Sequence, residues 1–416
     1  MKKYWLYLEP YILIFLQKRE FLVYNCINYE SKLFQRSSNL GNIISQLVLL
    51  ENMYCLELNE DEISEKEVEA FINYIISSFS GDLIRSDKIK KPAIFSPALK
   101  IYGRKYDFKT TGYQYDSKGI DFSLNEVFIY IGCDNPSSSL ADIEVYKQFD
   151  FCKKTEGQHL PYEKLTVILN SLRSWDIQNL NILGGNIFTY PDLEILINEL
   201  AKLQFTIRVY SHYKDIPKNK HCLTFLKANR FILKILIDAP IFYGRLDEIF
   251  HFLSDNNCKF ELIFAVTSII EYRKAAFIVN KYNLEQFEIK PVFTGANIKF
   301  FRKYVFLSKE DVLTIKATQQ EIYLKQTMNI FHFGRIRIMT DGRVYSDLNM
   351  SPLGDVGTPL VDMLNVEMCE PRSWLRVRNQ KPCKSCVYQW LCPSPSGYEY
   401  AIGKSNLCMV KNGLDL

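Results

Sequence analysis

Four of the chain's 11 cysteines crowd into its last 34 residues: Cys383, Cys386 and Cys392 follow C-x2-C-x5-C, and Cys408 comes after 15 intervening positions. A C-x2-C hook lets two sulfurs converge on one centre, and a near third and a more distant fourth complete a tetrahedral set. Four soft thiolates serve either an iron–sulfur cluster or a structural zinc ion. No histidine lies in this stretch, so a mixed Cys/His zinc site is disfavoured. Zinc ribbons pair two C-x2-C hooks, whereas here there is one hook and two single cysteines. The Cys392-Pro393 junction matches ferredoxin-type ligation, and the reading favours iron and sulfide with zinc as the alternative.

Elsewhere the chain offers little catalytic chemistry. The five histidines, at 159, 212, 221, 251 and 332, show no paired metal spacing. There is no phosphate loop and no Ser-His-Asp elbow motif. Asp134, Asp238 and Glu261 fall at or near strand ends, where acid–base groups of barrels sit, but helix capping or solvated loops are the favoured explanation. The other cysteines (Cys26, Cys55, Cys133, Cys152, Cys222, Cys258 and Cys369) are isolated and read as buried small hydrophobes.

The elements that must position these groups fall into four regions. Residues 1–85 hold short strand-like runs, "YILIF" and "EFLVYN", joined by "LQKR" as a hairpin, and then two helices. The second helix has Ser64 as its expected N-cap, Glu67 completing a capping box, and Val68, Phe71, Ile72, Ile75 and Phe79 as its buried stripe. This is a winged-helix-like module. Residues 86–124, rich in Lys, Tyr and Gly, read as a linker with some strand. Residues 125–330 alternate apolar β runs with amphipathic helices, which implies a parallel sheet with six crossovers; periodicity alone leaves open whether it curls into a barrel. Residues 331–416 begin with a hairpin turning at Asp341-Gly342, expected to be type I′, and carry the cysteines.

The bulk composition is that of an ordinary globular chain, with 47% hydrophobic and 24% charged residues and a net charge of +4. That charge is too small to argue for nucleic acid. The apolar start is split by Glu9-Pro10 and lacks a cleavage site, and no run is long enough for a membrane span. An odd, scattered cysteine count points to a reducing, cytoplasmic compartment.

A βα-repeat domain, a hairpin and a C-terminal cysteine segment resemble the radical S-adenosylmethionine peptide maturases with a SPASM domain. More narrowly, they resemble the pseudo-radical-SAM proteins of Bacteroidales-type ribosomal-peptide modification systems. The resemblance covers residues 125–416 and implies an α/β fold: a partial (β/α)6 barrel, followed by a SPASM-like domain. Its N-terminal module is similar to the RiPP recognition element, the winged-helix domain that grips leader peptides.

The family's C-x3-C-x2-C motif is absent. Counted from Cys133, the next ligand positions are Ser137 and Leu140; counted from Asn135, they are Ser139 and Asp142. The Gly-Gly-Glu-Pro turn survives as Gly184, Gly185 and Asn186, without the carboxylate that grips the cofactor. By the same resemblance Asp347 and Ser396 stand where first-auxiliary-cluster cysteines belong. Cys383, Cys386, Cys392 and Cys408 match the second cluster, with Cys369 as a substitute for the last.

The resemblance therefore implies a non-catalytic partner in peptide maturation, with one 4Fe–4S cluster and no bound S-adenosylmethionine. Its partners are a precursor peptide and a radical SAM maturase, not nucleic acid or membrane. Peptide capture is expected by β-addition to Phe21, Leu22, Val23 and Tyr24, beside Ala70, Tyr74 and Ser77. Two alternatives remain: an enzyme of altered chemistry on the same barrel, and a zinc-stabilised winged-helix interaction protein. DNA contact by the latter is disfavoured by its acidic helix.

Overall fold

The run Glu126–Gly132 is apolar at nearly every position, and such a strand must be covered on both faces. In the computed structural model, which describes residues 2–92 and 124–410 except 156, 219, 229 and 371, it is covered on both. Most of the expected linker 86–124 lies outside the described residues, as do the side chains of 220–222, Cys222 among them.

Six strands, β7 (Glu126–Gly132), β8 (Asn179–Gly184), β9 (Thr206–His212), β10 (Phe231–Ile237), β11 (Phe260–Val266) and β12 (Phe287–Pro291), pair in parallel and in chain order. Their alternate residues divide the core in two. Val127, Ile129 and Ile131 pack outward with the helices, while Phe128, Tyr130, Leu183, Tyr210, Leu236 and Ile263 form the inner core. Polar groups line the lower interior: Arg208 and Lys234 both pair with Glu261 at 3.2 Å, and Lys234 also reaches Glu288.

The C-terminal hairpin continues the same sheet. Strand β13 (Arg335–Ile338) pairs in parallel with β7, and β14 (Arg343–Tyr345) and β15 (Gly354–Asp355) follow antiparallel, giving nine strands. The sheet curls, because β12 and β13 line one cavity although five strands separate them. It stays open, because no pairing joins the end strands β12 and β15. The hairpin turn departs from the expected type I′. Only Gly342 has positive φ (+87°), and Gly342 N donates to Met339 O across a longer loop. This is the geometry of a type I turn closed by a glycine.

The N-terminal module is built from two small sheets. Strand β1 (Lys3–Leu8) lies between β5 (Cys55–Asn59) and β6 (Gly81–Arg85), while β2 (Ile12–Leu16), β3 (Glu20–Asn25) and β4 (Ser31–Gln35) form a meander. The expected hairpin of β2 and β3 is present, with Phe15 opposite Leu22. The helix Lys66–Ser77 buries Val68, Phe71, Ile72 and Ile75 as its spacing predicts.

Two details differ. Ser64 does not cap this helix; it ends the preceding turn Glu60–Ile63, whose own capping box is Asn59 with Glu62. Phe79 does not join the stripe, because the helix stops before it and it is 81% exposed. Among the described residues no helix is long and apolar enough to cross a membrane.

The two faces of the β2–β4 meander carry different partners. Ile12, Ile14, Phe21 and Val23 pack on the module's helices. Leu13, Phe15, Leu22 and Tyr24 pack on Cys386, Val387, Tyr388 and Leu391 of the tail. Gln17 donates to the carbonyls of Lys384 and Cys386, and Tyr24 Oη donates to Ala317 O at 2.9 Å. The module therefore sits directly on the cysteine-bearing loop.

Candidate functional site

The structure brings Cys383, Cys386, Cys392 and Cys408 to the wall of one small cavity of about 20 Å³. Cys383 opens a single 3-10 turn, and Cys386 N donates to Cys383 O at 2.9 Å, which closes the hook. Val387 and Leu391, fully buried, fix the next turn, and Cys392 N donates back to Tyr388 O. Cys408 arrives from the far end of the tail, where Leu307 pairs beside it through bonds to Leu407 O and from Met409 N. Cys369, exposed at the end of the helix Leu360–Cys369, does not line this cavity.

Burial raises the Cys383 thiol and pushes Cys392 up to about 12, and Arg378 opposes both shifts. Arg378 is buried against its own partner, Glu399, at 2.6 Å. Lys325 also lies near Cys392, donating to Leu391 O at 3.0 Å. Two cations beside four thiols favour thiolates, and they would compensate the negative charge of a metal–thiolate centre there.

The donor set fits an S4 centre. The sulfurs ring a space instead of touching one point: among the described residues no three His, Cys, Asp or Glu side chains are arranged to hold a metal ion. Ligation therefore requires these short loops to adjust around the ion. Sequence reasoning missed Arg378 and Lys325, because neither stands at any fixed spacing from the cysteines.

The mouth of the half-barrel is organised differently. Cys133 and Leu140, two of the three positions where cluster ligands are expected, point into opposite cores. The Cys133 thiol is pushed up to about 12 by burial. Ser137 alone of the three is exposed, and its N–H and hydroxyl are spent on Asp215.

Asp238, buried at the end of β10, staples the rest of the loop. Its Oδ2 accepts from Ser138 Oγ at 2.5 Å, Ser139 Oγ at 3.2 Å and Leu140 N at 3.3 Å, and its Oδ1 faces His212 Nε2 at 2.9 Å. The carboxylate lies between serine and histidine, so the imidazole does not activate the hydroxyl as a hydrolytic triad requires.

The glycine turn is closed as well. Asn186 N donates to Asp134 O at 2.8 Å, and its side chain caps the turn Ile187–Thr189. A Cβ on Gly185 would strike the Asp134 carbonyl oxygen, so glycine is required for this approach. Asp134 is exposed, and Glu261 lies at the opposite end of the barrel, pairing with Arg208 and Lys234. Neither joins Asp238 in a catalytic group.

The staple makes a stability prediction. Burial pushes the Asp238 carboxyl up, but bonds from His212 and Ser138 outweigh it and hold the group below its ordinary 3.8. A depressed folded pKa gives stability that is present above the unfolded value and lost as pH falls through the folded one. Asp238→Asn should cost about 3 kcal/mol at neutral pH, as breaking one partner of a buried pair does. Urea unfolding from pH 7 down to about 2 should show the variant's deficit shrinking below about pH 4; a constant deficit would remove the charge from the account.

In the N-terminal module one expectation is overturned. Phe21, Leu22, Val23 and Tyr24 are not an edge: β3 pairs with β2 on one side and β4 on the other, and all four side chains are buried. The edges are β2 and β4, on whose outer sides no described strand pairs, and β4 is the one beside the helix Lys66–Ser77. Ala70 and Ser77 are exposed and Tyr74 is half-buried on the helix beside β4. There Tyr74 meets the Phe34 ring at 5.6 Å and lies under Lys32 Nζ at 4.7 Å.

No protein-family model matches the chain, and no curated protein matches it. Among solved structures, Streptococcus suis SuiB is similar at 13% identity over 99% of this chain and 100% of that one, with a TM-score of 0.44. SuiB bound to precursor peptide SuiA gives 12% over 98% and 99%, at 0.42. The protein anSMEcpe with bound AdoMet gives 14% over 65% of this chain and 84% of its own, at 0.44. Likeness at this level assigns neither family nor activity.

Proposed function

We propose that this chain is a non-catalytic partner in ribosomal-peptide maturation, working in the cytoplasm with a precursor peptide and a radical SAM maturase. The observation that carries the reading is the contrast between two thiol sites. Four cysteines share one cavity at the tail, whereas the loop at the barrel mouth spends its polar groups on Asp215 and Asp238. The mouth thus offers no set of thiolates, and an iron cluster that cleaves S-adenosylmethionine needs them.

In this reading Cys383, Cys386, Cys392 and Cys408 hold one 4Fe–4S cluster that braces the tail, with Arg378 and Lys325 balancing its charge. When bound, that centre supplies folding energy to a loop-rich segment. Zinc is the second reading, and the small volume of the thiol cavity favours it, since a space of that order suits a single atom. The precursor peptide adds as a strand to β4, with Ala70, Tyr74 and Ser77 flanking it.

The test is anaerobic purification, with iron, sulfide and zinc quantified, followed by incubation with reductant and S-adenosylmethionine. One metal centre per chain and no 5′-deoxyadenosine are expected. A second iron centre near Cys133, or 5′-deoxyadenosine above background, would overturn the reading.

A further inference from the structure

A cavity of about 410 Å³ opens in the seam of the half-barrel, between β12, β13, the segment Gln148–Asp150 and the tail stretch Pro393–Glu399. Its size lies within the range of small-ligand sites, which are apolar chambers with a few placed charges. It is separate from the barrel mouth: neither Ser137 nor Asp238 lines it.

The walls are largely hydrocarbon, from Ile289, Val305, Leu307 and Leu407, with the Phe149 and Phe331 rings. The charges are unequal. Lys290, Arg335, Arg337 and Arg378 line the cavity against only Asp150 and Glu399. Both carboxylates are committed, Asp150 to Arg337 at 2.6 and 2.9 Å and Glu399 to Arg378 at 2.6 Å. Lys290 and Arg335 are paired as well, with Glu288 at 2.8 Å and Glu126 at 3.0 Å, but those two carboxylates stand outside the lining. Their side chains remain 31% and 38% exposed, so each keeps donor surface that a ligand carboxylate can share with the existing partner. His332 adds none, since burial drives its pKa down to about 4.

We propose that this seam cavity binds an apolar group with a carboxylate beside it, the hydrocarbon entering the chamber and the carboxylate meeting Lys290 and Arg335. Such a group occurs on a free aromatic acid and on a bulky residue next to a glutamate or aspartate in a peptide. The site adjoins the thiol cavity, because Leu307, Arg378 and Leu407 line both. An occupant is therefore one side chain away from the cysteines.

Calorimetric titration of the full chain tests the site with three probes: N-acetylphenylalanine, its uncharged amide, and a capped hexapeptide with phenylalanine between two glutamates. The acid should bind at least about tenfold more tightly than the amide. Lys290→Gln should remove most of that preference and leave amide binding unchanged. Val305→Trp, which fills the chamber, should weaken all three probes. A hexapeptide tighter than the free acid assigns the site to peptides, and the reverse order assigns it to small acids. Equal binding of acid and amide, no binding of either, or an unaltered preference in Lys290→Gln overturns the proposal. Because Lys290 is part-exposed, its variant stays informative even where Val305→Trp fails to fold.

Discussion

Changing any one of Cys383, Cys386, Cys392 or Cys408 to serine should empty the metal centre and loosen the N-terminal module with it. The first effect follows from ligand supply, because a hydroxyl is a poor replacement for a thiolate in an S4 set. The second follows from packing. Cys386 lies in the same apolar cluster as Leu13, Phe15, Leu22 and Tyr24, so the loop that would close on the metal is also the floor of the β2–β4 meander. Structural zinc is worth about 10–16 kcal/mol in small metal-dependent folds. If the tail gains only about 5 kcal/mol from its centre, its unfolding midpoint falls by roughly 20–40 °C on substitution. Metal analysis and hydrogen exchange over residues 12–35 read the two effects together. Cys369→Ser is the control and should change neither, because that thiol is exposed and off the cavity. Full metal content in Cys408→Ser with loss in Cys369→Ser would reverse the ligand assignment. Unaltered exchange in the metal-free protein would disconnect the module from the tail.

What the sequence made legible follows from how local the signals are. Strands such as Glu126–Gly132 announce themselves because burial on both faces demands apolar residues throughout. The C-x2-C hook does so because two sulfurs on one turn must converge. The staple at the mouth was hidden, since Ser138 and Asp238 meet across 100 positions and neither has a distinctive neighbour. The parallel pairing of β13 with β7 was equally invisible, because a hairpin carries no mark of which strand it will extend. The edge assignment failed for a related reason. "SKLFQ" is too short and mixed to stand out as a strand, so β3 looked like the last of its sheet when it is the middle. Phe79 shows the limit of periodicity: it keeps helical spacing, but the helix ends at Ser77, and at φ +54° Phe79 turns the chain out of register.

Taking β4, the edge beside the helix Lys66–Ser77, as the strand that receives the peptide yields a prediction that separates it from β3. In an antiparallel pair only alternate residues bond inward. Arg36 N bonds Arg19 O and Asn25 N bonds Glu30 O, which sets the alternation and directs the N–H groups of Ser31, Leu33 and Gln35 to the free side. Proline at such a position removes an outward donor and leaves the inward ladder intact. Gln35→Pro and Leu33→Pro should therefore each weaken a precursor peptide that adds to β4 by about tenfold or more, the net worth of a hydrogen bond plus the steric block. Of the two, Gln35 carries the exposed side chain, so its variant should keep the wild-type melting temperature within a few degrees. Tyr74→Ala should also weaken binding, by removing the ring that closes the groove against Phe34 and Lys32. Fluorescence anisotropy with a labelled peptide measures all three. Undiminished affinity in both proline variants, with the fold intact, would show that the peptide is held somewhere other than this edge.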